Sequence, residues 1–286
     1  MMSVLAGAAL APIRAAAQVP PAIATVQGLS YADLVDLTAA SQLVLRAVVK
    51  KQAVLEAARA IGVRPGFARI YVEAVPTGVL IGRVPPVQTI HYLADVPITA
   101  GGKVPNLKKQ EVLLFAHAPN GDAAAADPAA PPAKAIDVQL VAPDAQLAWD
   151  AGVETRVAAI FTALAAPDAP PPVTGVREAI YVAGNLAGEG ETQIFLTLAS
   201  GHPASISVEH AAGQPVTWSA SFSEVVNAGG HPPAHDTLEW YRLACGLPRA
   251  LPAGVNVSES GSDKAQAAAD YSTVLADLGD CRRNRF

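Results

Sequence analysis

Arg69-Ile70-Tyr71-Val72-Glu73 alternates at every step: Ile70 and Val72 face one way, Arg69, Tyr71 and Glu73 the other. An apolar residue at every second position marks a strand with one buried and one wet face. The same signature recurs on either side of this stretch. Leu43 to Leu55 is rich in β-branched and aliphatic residues. Ile90, Tyr92, Ala94 and Val96 alternate with His91, Leu93 and Asp95, and Glu111 to Ala116 is a compact apolar run. Ile136, Val138 and Leu140 alternate with Asp137 and Gln139. These five segments predict a small antiparallel, barrel-like sheet that closes on itself to hide its edges. Ser30, with Asp33 three residues on, predicts a capped helix ending near Ala40. Pro119 to Lys134 is nearly all Ala, Pro, Asp and Gly and predicts a loop with little to bury.

The second half has its own pattern. Asp150 caps a predicted helix over Ala151 to Ala165, with Val153, Val157, Ile160 and Leu164 on one face. Pro167 and Pro170 to Pro172 stop that helix and mark a domain boundary. Arg177 to Val182, Thr192 to Ala199, Ala204 to His210 and Val216 to Phe222 then alternate, separated by short turn segments, as in an antiparallel meander. Asp236-Thr237-Leu238-Glu239 resembles a capping box and opens a helix to Cys245. Ser262 or Asp263 opens a last helix over about Lys264 to Leu278, with Gly279 beyond. The predicted class is α+β: a five-stranded antiparallel barrel-like sheet with a helix, then an antiparallel meander with two C-terminal helices. The predicted division is an export signal at 1–17, a linker at 18–29, a barrel-like domain at 30–166 and a sheet-plus-helices domain at 174–286.

Export is read from both ends of the chain. An Ala- and Leu-rich run ends in Ala15-Ala16-Ala17, a small-residue cleavage pattern before Gln18, although no Lys or Arg precedes it. The chain's two cysteines, Cys245 and Cys281, flank the last predicted helix, and an even cysteine count in an exported chain reads as a disulfide. The alternative is a pair of buried thiols. Periplasmic or secreted localisation follows from this reading. The apolar run is far shorter than the roughly 20 residues of a membrane-spanning helix. A formal net charge of −5 over 286 residues argues against nucleic acid as a partner. Lys103, Lys108 and Lys109 form the one small basic cluster and read as a solvated loop. Arg282, Arg283 and Arg285 follow a helix C-terminus, where positive charge is favourable.

Catalytic signatures are missing: there is no G-x-S-x-G elbow, Walker loop, H-E-x-x-H or C-x-x-C. No residue is therefore assigned a catalytic, cofactor-binding or metal-binding role, and no cofactor is expected. Weaker candidates are His231 and His235, four apart but separated by Pro232 and Pro233, which disfavour a helix. The loop Gly184-Asn185-Leu186-Ala187-Gly188-Glu189-Gly190-Glu191 could offer oxygen ligands to a calcium ion but reads first as a turn between strands. Around Val216 to Phe222, Trp218, Ala220 and Phe222 share one side, and Thr217, Ser219 and Ser221 read as a wet face. His91, His117, His202 and His210 sit on or beside strands or turns and read as surface or structural groups. Trp240 and Tyr241 read as packing residues under the disulfide.

Leu43-Val44-Leu45-Arg46-Ala47-Val48-Val49, Arg69-Ile70-Tyr71-Val72-Glu73 and Gln110-Glu111-Val112-Leu113-Leu114-Phe115-Ala116 give the first half a resemblance to small exported bacterial β-barrels of the OB-like kind. The second half, with Gly188-Glu189-Gly190-Glu191-Thr192-Gln193-Ile194-Phe195-Leu196, is similar to exported proteobacterial proteins of unknown function. OB-like barrels often bind oligonucleotides or saccharides, but a fold alone fixes no function. Three readings follow. The first is a non-enzymatic periplasmic or secreted protein that binds an envelope component or small molecule, against which a deep pocket of acid–base residues would count. The second is a hydrolase with a site between the domains, using a histidine with Asp236 or a serine of 219–223. The third is a metal-binding module using His231 and His235 or Glu189 and Glu191.

Overall fold

A computed structural model describes residues 28–84, 87–118, 133–222 and 230–285. The predicted export segment, nearly all of the linker, most of the Pro119–Lys134 loop and Ser223 lie outside the described residues.

The chain opens with helix α1 (Tyr31–Ala40), and Ser30 and Asp33 cap each other's backbone as the sequence predicts. Strands β1 (Leu43–Val54), β2 (Phe67–Ile81), β3 (Val87–Pro97), β4 (Glu111–Ala116), β5 (Ala133–Asp137) and β6 (Gln146–Ala148) form the first sheet. Its order is β5-β3-β2-β1-β4-β6. Helix α2 (Ala151–Ala165) follows, capped by Asp150. The second sheet holds β7 (Val173–Ala183), β8 (Gly190–Leu198), β9 (Ser205–His210) and β10 (Thr217–Ser221), in the order β10-β9-β8-β7 with every pairing antiparallel. Helices α3 (Leu238–Gly246) and α4 (Gly261–Leu278) end the fold. This is a mixed α+β architecture with two sheets and four helices among the described residues.

The first sheet departs from its expected form. It has six strands, is mixed, and does not close into a barrel. The added strand, β6, is only three residues long and pairs with β4. The mixed pairing follows from chain direction. β4 is antiparallel to β1, so a chain that reverses after β4 runs the same way as β3 and pairs with it in parallel. The next residues then cross between the sheet's free edges. Val138 N donates to His91 O, whereas Val141 N donates to Phe115 O and Leu140 bridges to Ala116. The gap between β3 and β4 is spanned by single hydrogen bonds rather than a continuous ladder. Register shifts at Val44/Leu45, Arg46/Ala47 and Val49/Lys51 coil the β1–β2 pair.

Two apolar cores result. Ile70, Val72, Ile90 and Ala94 pack with Leu34 and Leu37 of α1 and Val153, Val157 and Ile160 of α2. Ile194, Leu196, Ile206, Val208 and Trp218 pack with Trp240 and Leu243 of α3 and Tyr271, Val274 and Leu278 of α4. The halves are stitched together. Leu238 of α3 lies in the first core, and Tyr31 and Tyr241 pack against both. Tyr241 donates to Asp36 Oδ1 at 2.5 Å, Arg283 Nε to Asp36 Oδ2 at 2.6 Å and Arg285 to Asp144 Oδ1 at 2.7 Å. The basic tail is thus placed by three aspartates of the first half, since Asn284 N also donates to Asp33 Oδ2 at 2.9 Å.

Two caps are shifted from their expected places. Thr237, not Asp236, caps α3 by accepting from Trp240 N, and Asp236 stands in the turn before it with φ 59°. Ser260 caps α4, and Asp263 at the third helical position completes the capping box. Cys245 and Cys281 come together with Sγ atoms 2.01 Å and Cα atoms 5.1 Å apart, joining the end of α3 to the residues after α4. Among the described residues, no helix is long and apolar enough to cross a membrane.

Candidate functional site

An extensive concave surface lies on the outer face of the first sheet. The alternation of β2 and that of β3 meet there in register: Arg69 opposes Asp95, Tyr71 opposes Leu93, and Glu73 opposes His91. Their alternate neighbours Ile70, Val72, Ile90 and Ala94 are buried on the other face. A groove of about 1400 Å³ runs over this face, with Tyr71, His91 and Leu93 along its floor. One wall is the end of β1 with Glu56 and Arg59, and the other is His117 with the crossing segment 136–143.

The floor keeps large apolar side chains in water: Tyr71 is 40 %, Leu93 45 % and Val54 52 % exposed. The Tyr71 and His91 rings lie 5.5 Å apart. His91 Nδ1 is 3.5 Å from Asp137 Oδ1, and Lys51 pairs with Glu73 at 3.1 Å. Arg69 clamps Asp95 through two bonds of 2.7 and 2.9 Å, and this charge-assisted bonding holds the guanidinium above its usual pKa. Arg69 and Lys51 are therefore matched by carboxylates across the sheet, and the groove presents exposed apolar side chains beside these pairs.

A second polar cluster is built into the other half. The carboxylate of Asp270 on α4 accepts from Thr192 Oγ1 at 2.5 Å, Gln266 Nε2 at 2.9 Å and His210 Nε2 at 2.9 Å. A carboxylate only accepts, so His210 carries a proton on Nε2. The ring of Tyr181 stands edge-on to His210 at 6.1 Å. No hydroxyl or thiol is bonded to His210 among the described hydrogen bonds, so a base–nucleophile pair is not formed there.

The other sequence candidates disperse. His235 packs on Trp240 at 5.3 Å, and His231 Nδ1 approaches only its neighbour's carbonyl, Pro232 O, at 3.0 Å. No histidine is bonded to Asp236 among the described hydrogen bonds. In the 184–191 loop Gly184 N donates to Glu189 O, and the side chain of Glu191 is engaged by Gln193. Among the described residues no group of three or more His, Cys, Asp or Glu side chains is placed to hold a metal ion. The serines of β10 correct the wet-face expectation: Ser219 and Ser221 are buried, paired across the sheet with the buried Ser207 and Ser205. Gln193 Nε2 donates to Ser207 Oγ at 2.7 Å, and Thr217, the first residue of β10, is exposed as expected. Trp240 packs as expected and donates to Leu278 O at 2.8 Å. Lys103, Lys108 and Lys109 are exposed, in keeping with a solvated loop.

Sequence reasoning missed the groove because its walls come from segments joined only by tertiary structure. The alternations did assign Tyr71, His91 and Leu93 to the outer face. No protein-family model and no curated protein sequence matches the chain. The chemistry of the surface therefore carries the functional argument.

Proposed function

We propose that this is a non-enzymatic binding protein of the bacterial envelope or exterior, and that the groove on the first sheet takes an extended, apolar-sided peptide segment of a partner protein. The observation that carries this reading is the row of Tyr71, Leu93 and Val54, left exposed in a groove of about 1400 Å³. Ligand pockets for single small molecules hold roughly 300–1,000 Å³ and bury their apolar lining. A wide groove with an exposed apolar floor suits a chain segment laid across it. The locally matched charges favour a partner segment with little net charge. Histidines and acids do line the groove, but His91 and Asp137 lie beside one another on an open surface rather than around an enclosed space.

Export is part of the proposal. It is supported by the Ala15-Ala16-Ala17 pattern and by cysteines within bonding distance, an arrangement that persists in oxidising compartments. Intact-mass measurement of the natively expressed protein tests it. A mature start near Gln18 and a two-proton deficit lost on reduction are expected, whereas an intact start with two thiols would remove the support. For binding, a photo-crosslinking residue is placed at Leu93 in the groove and, as a control, at the exposed Val182 of β7. A discrete adduct at position 93 that is absent at 182 is expected. Equal, diffuse labelling at both positions would sink the groove as a binding surface.

A further inference from the structure

A second, smaller cavity of about 300 Å³ lies under the C-terminal tail, away from the floor of the groove. Phe67, Asp95, Asp144, Gln146, Asn284 and Arg285 line it. Gln146 is 4 % exposed. Its Oε1 accepts from the buried Tyr92 hydroxyl at 2.6 Å, while its Nε2 is buried with no partner. Burial holds the Tyr92 phenol far above its usual pKa, so it stays protonated. Exchanging the two amide atoms would leave Oε1 unpaired instead, so either orientation leaves one polar end of Gln146 unsatisfied. Buried polar groups in proteins are almost always hydrogen-bonded, and an exception calls for a missing partner.

The wall says what kind of partner. Its two carboxylates are already neutralised, Asp95 by Arg69 at 2.7 Å and Asp144 by Arg285 at 2.7 Å and Arg64 at 3.6 Å. A charged guest would upset that balance and bring an unpaired charge into a half-closed space. Each carboxylate still has lone pairs to spare, and it accepts only from a donor. The guest must therefore donate to Asp95 or Asp144 and also meet an amide of either orientation. A hydroxyl does both, and Phe67 supplies an apolar wall for carbon-bound hydrogens.

We infer that this cavity is a binding site for a small neutral polyhydroxylated molecule of monosaccharide size, anchored by Gln146. It shares no floor residue with the groove, and its failure would leave the peptide-binding reading untouched. Calorimetric titration of the whole protein with glucose, galactose, N-acetylglucosamine and glycerol tests it, alongside Gln146→Leu, Asn284→Ala and, as a control, Leu93→Ser. Saturable binding of at least one probe is expected. Gln146→Leu should weaken it by about tenfold or more, the loss of one well-made buried hydrogen bond. Leu93→Ser should leave it unchanged. If Gln146→Leu does not fold, Asn284→Ala, at the rim, should still weaken binding measurably. The inference is overturned if no probe binds, which makes the cavity a water chamber, or if binding survives intact in every cavity variant that folds.

Discussion

His91 and His210 keep similar company in very different settings. Each stands on a strand beside a tyrosine ring, Tyr71 at 5.5 Å and Tyr181 at 6.1 Å, and each faces an aspartate. His91 and Asp137 are 3.5 Å apart, with side chains 25 % and 93 % exposed. His210 and Asp270 are 2.9 Å apart, with side chains 16 % and 3 % exposed. The difference lies in what covers the sheet. Among the described residues no helix covers the His91 row of the first sheet, and Asp137 projects into water. In the second sheet α4 lies across β7 and β8, and Asp270 meets Thr192 and His210. A carboxylate removed from water must be bonded on every side, and Asp270 receives three donors. The same trio of residue types thus serves as an adaptable surface in one half and as a bolt between sheet and helix in the other.

The sharpest break in this comparison is the covalent one. Opening the Cys245–Cys281 link, as in Cys245→Ser with Cys281→Ser, removes a crosslink over 36 residues. It should cost about 4 kcal/mol in the chain-entropy account. Denaturant melts measure the loss. Amide exchange should place it in α3, α4 and β8 rather than in the groove, because α4 carries the bolt.

Alkali gives a smaller, graded test. Burial, aided by the hydrogen bond and charge of Asp36, pushes Tyr241 up to about 12, and burial alone pushes Tyr271 up to about 12, both from 10.0. A folded-state pKa above the unfolded one favours the folded state while the phenol is neutral. This stabilisation is complete below about pH 10 and is lost as pH rises towards 12. Tyrosinate absorbance and melting temperature followed together should show α4 and the seam at Asp36 loosening over that window. Tyr241→Phe should remove the seam's share of the pH dependence.

The smallest effect on stability should come from the groove. Tyr71→Ala and Leu93→Ser each change a half-exposed side chain and should shift stability by less than about 1 kcal/mol. If the groove is a binding surface, Tyr71→Ala should abolish the crosslink formed from position 93. A large loss of stability on either would mean that these residues hold the fold instead.

How far the sequence could be read follows the same divide. Faces were legible: the alternations at 69–73 and 90–96 assigned Tyr71, His91 and Leu93 to one side, where they lie. Local caps were legible at Ser30 and Asp150, where the signal lies within three residues. Pairing was not. Nothing in Ile136 to Leu140 says that the strand joins β3 in parallel and then crosses to β4 instead of closing a barrel. Nothing local marks Asp270, because its partners Thr192 and His210 lie 78 and 60 residues away. Ser219 and Ser221 of β10 read as part of a wet face because a period-2 pattern equates polar with exposed. Arg283 and Arg285 read as complements to a helix end, whereas they bind Asp36 and Asp144, 247 and 141 residues earlier.

The most direct measurement is paired equilibrium unfolding of Asp270→Ala and Asp137→Ala. Removing Asp270 strands a half-buried histidine and a buried threonine hydroxyl, and should cost about 3 kcal/mol. Removing Asp137 ends an exposed pairing and should change stability by no more than about 0.5 kcal/mol. Equal losses, or a larger loss for Asp137→Ala, would contradict the assignment of one cluster to the fold and the other to a free binding surface.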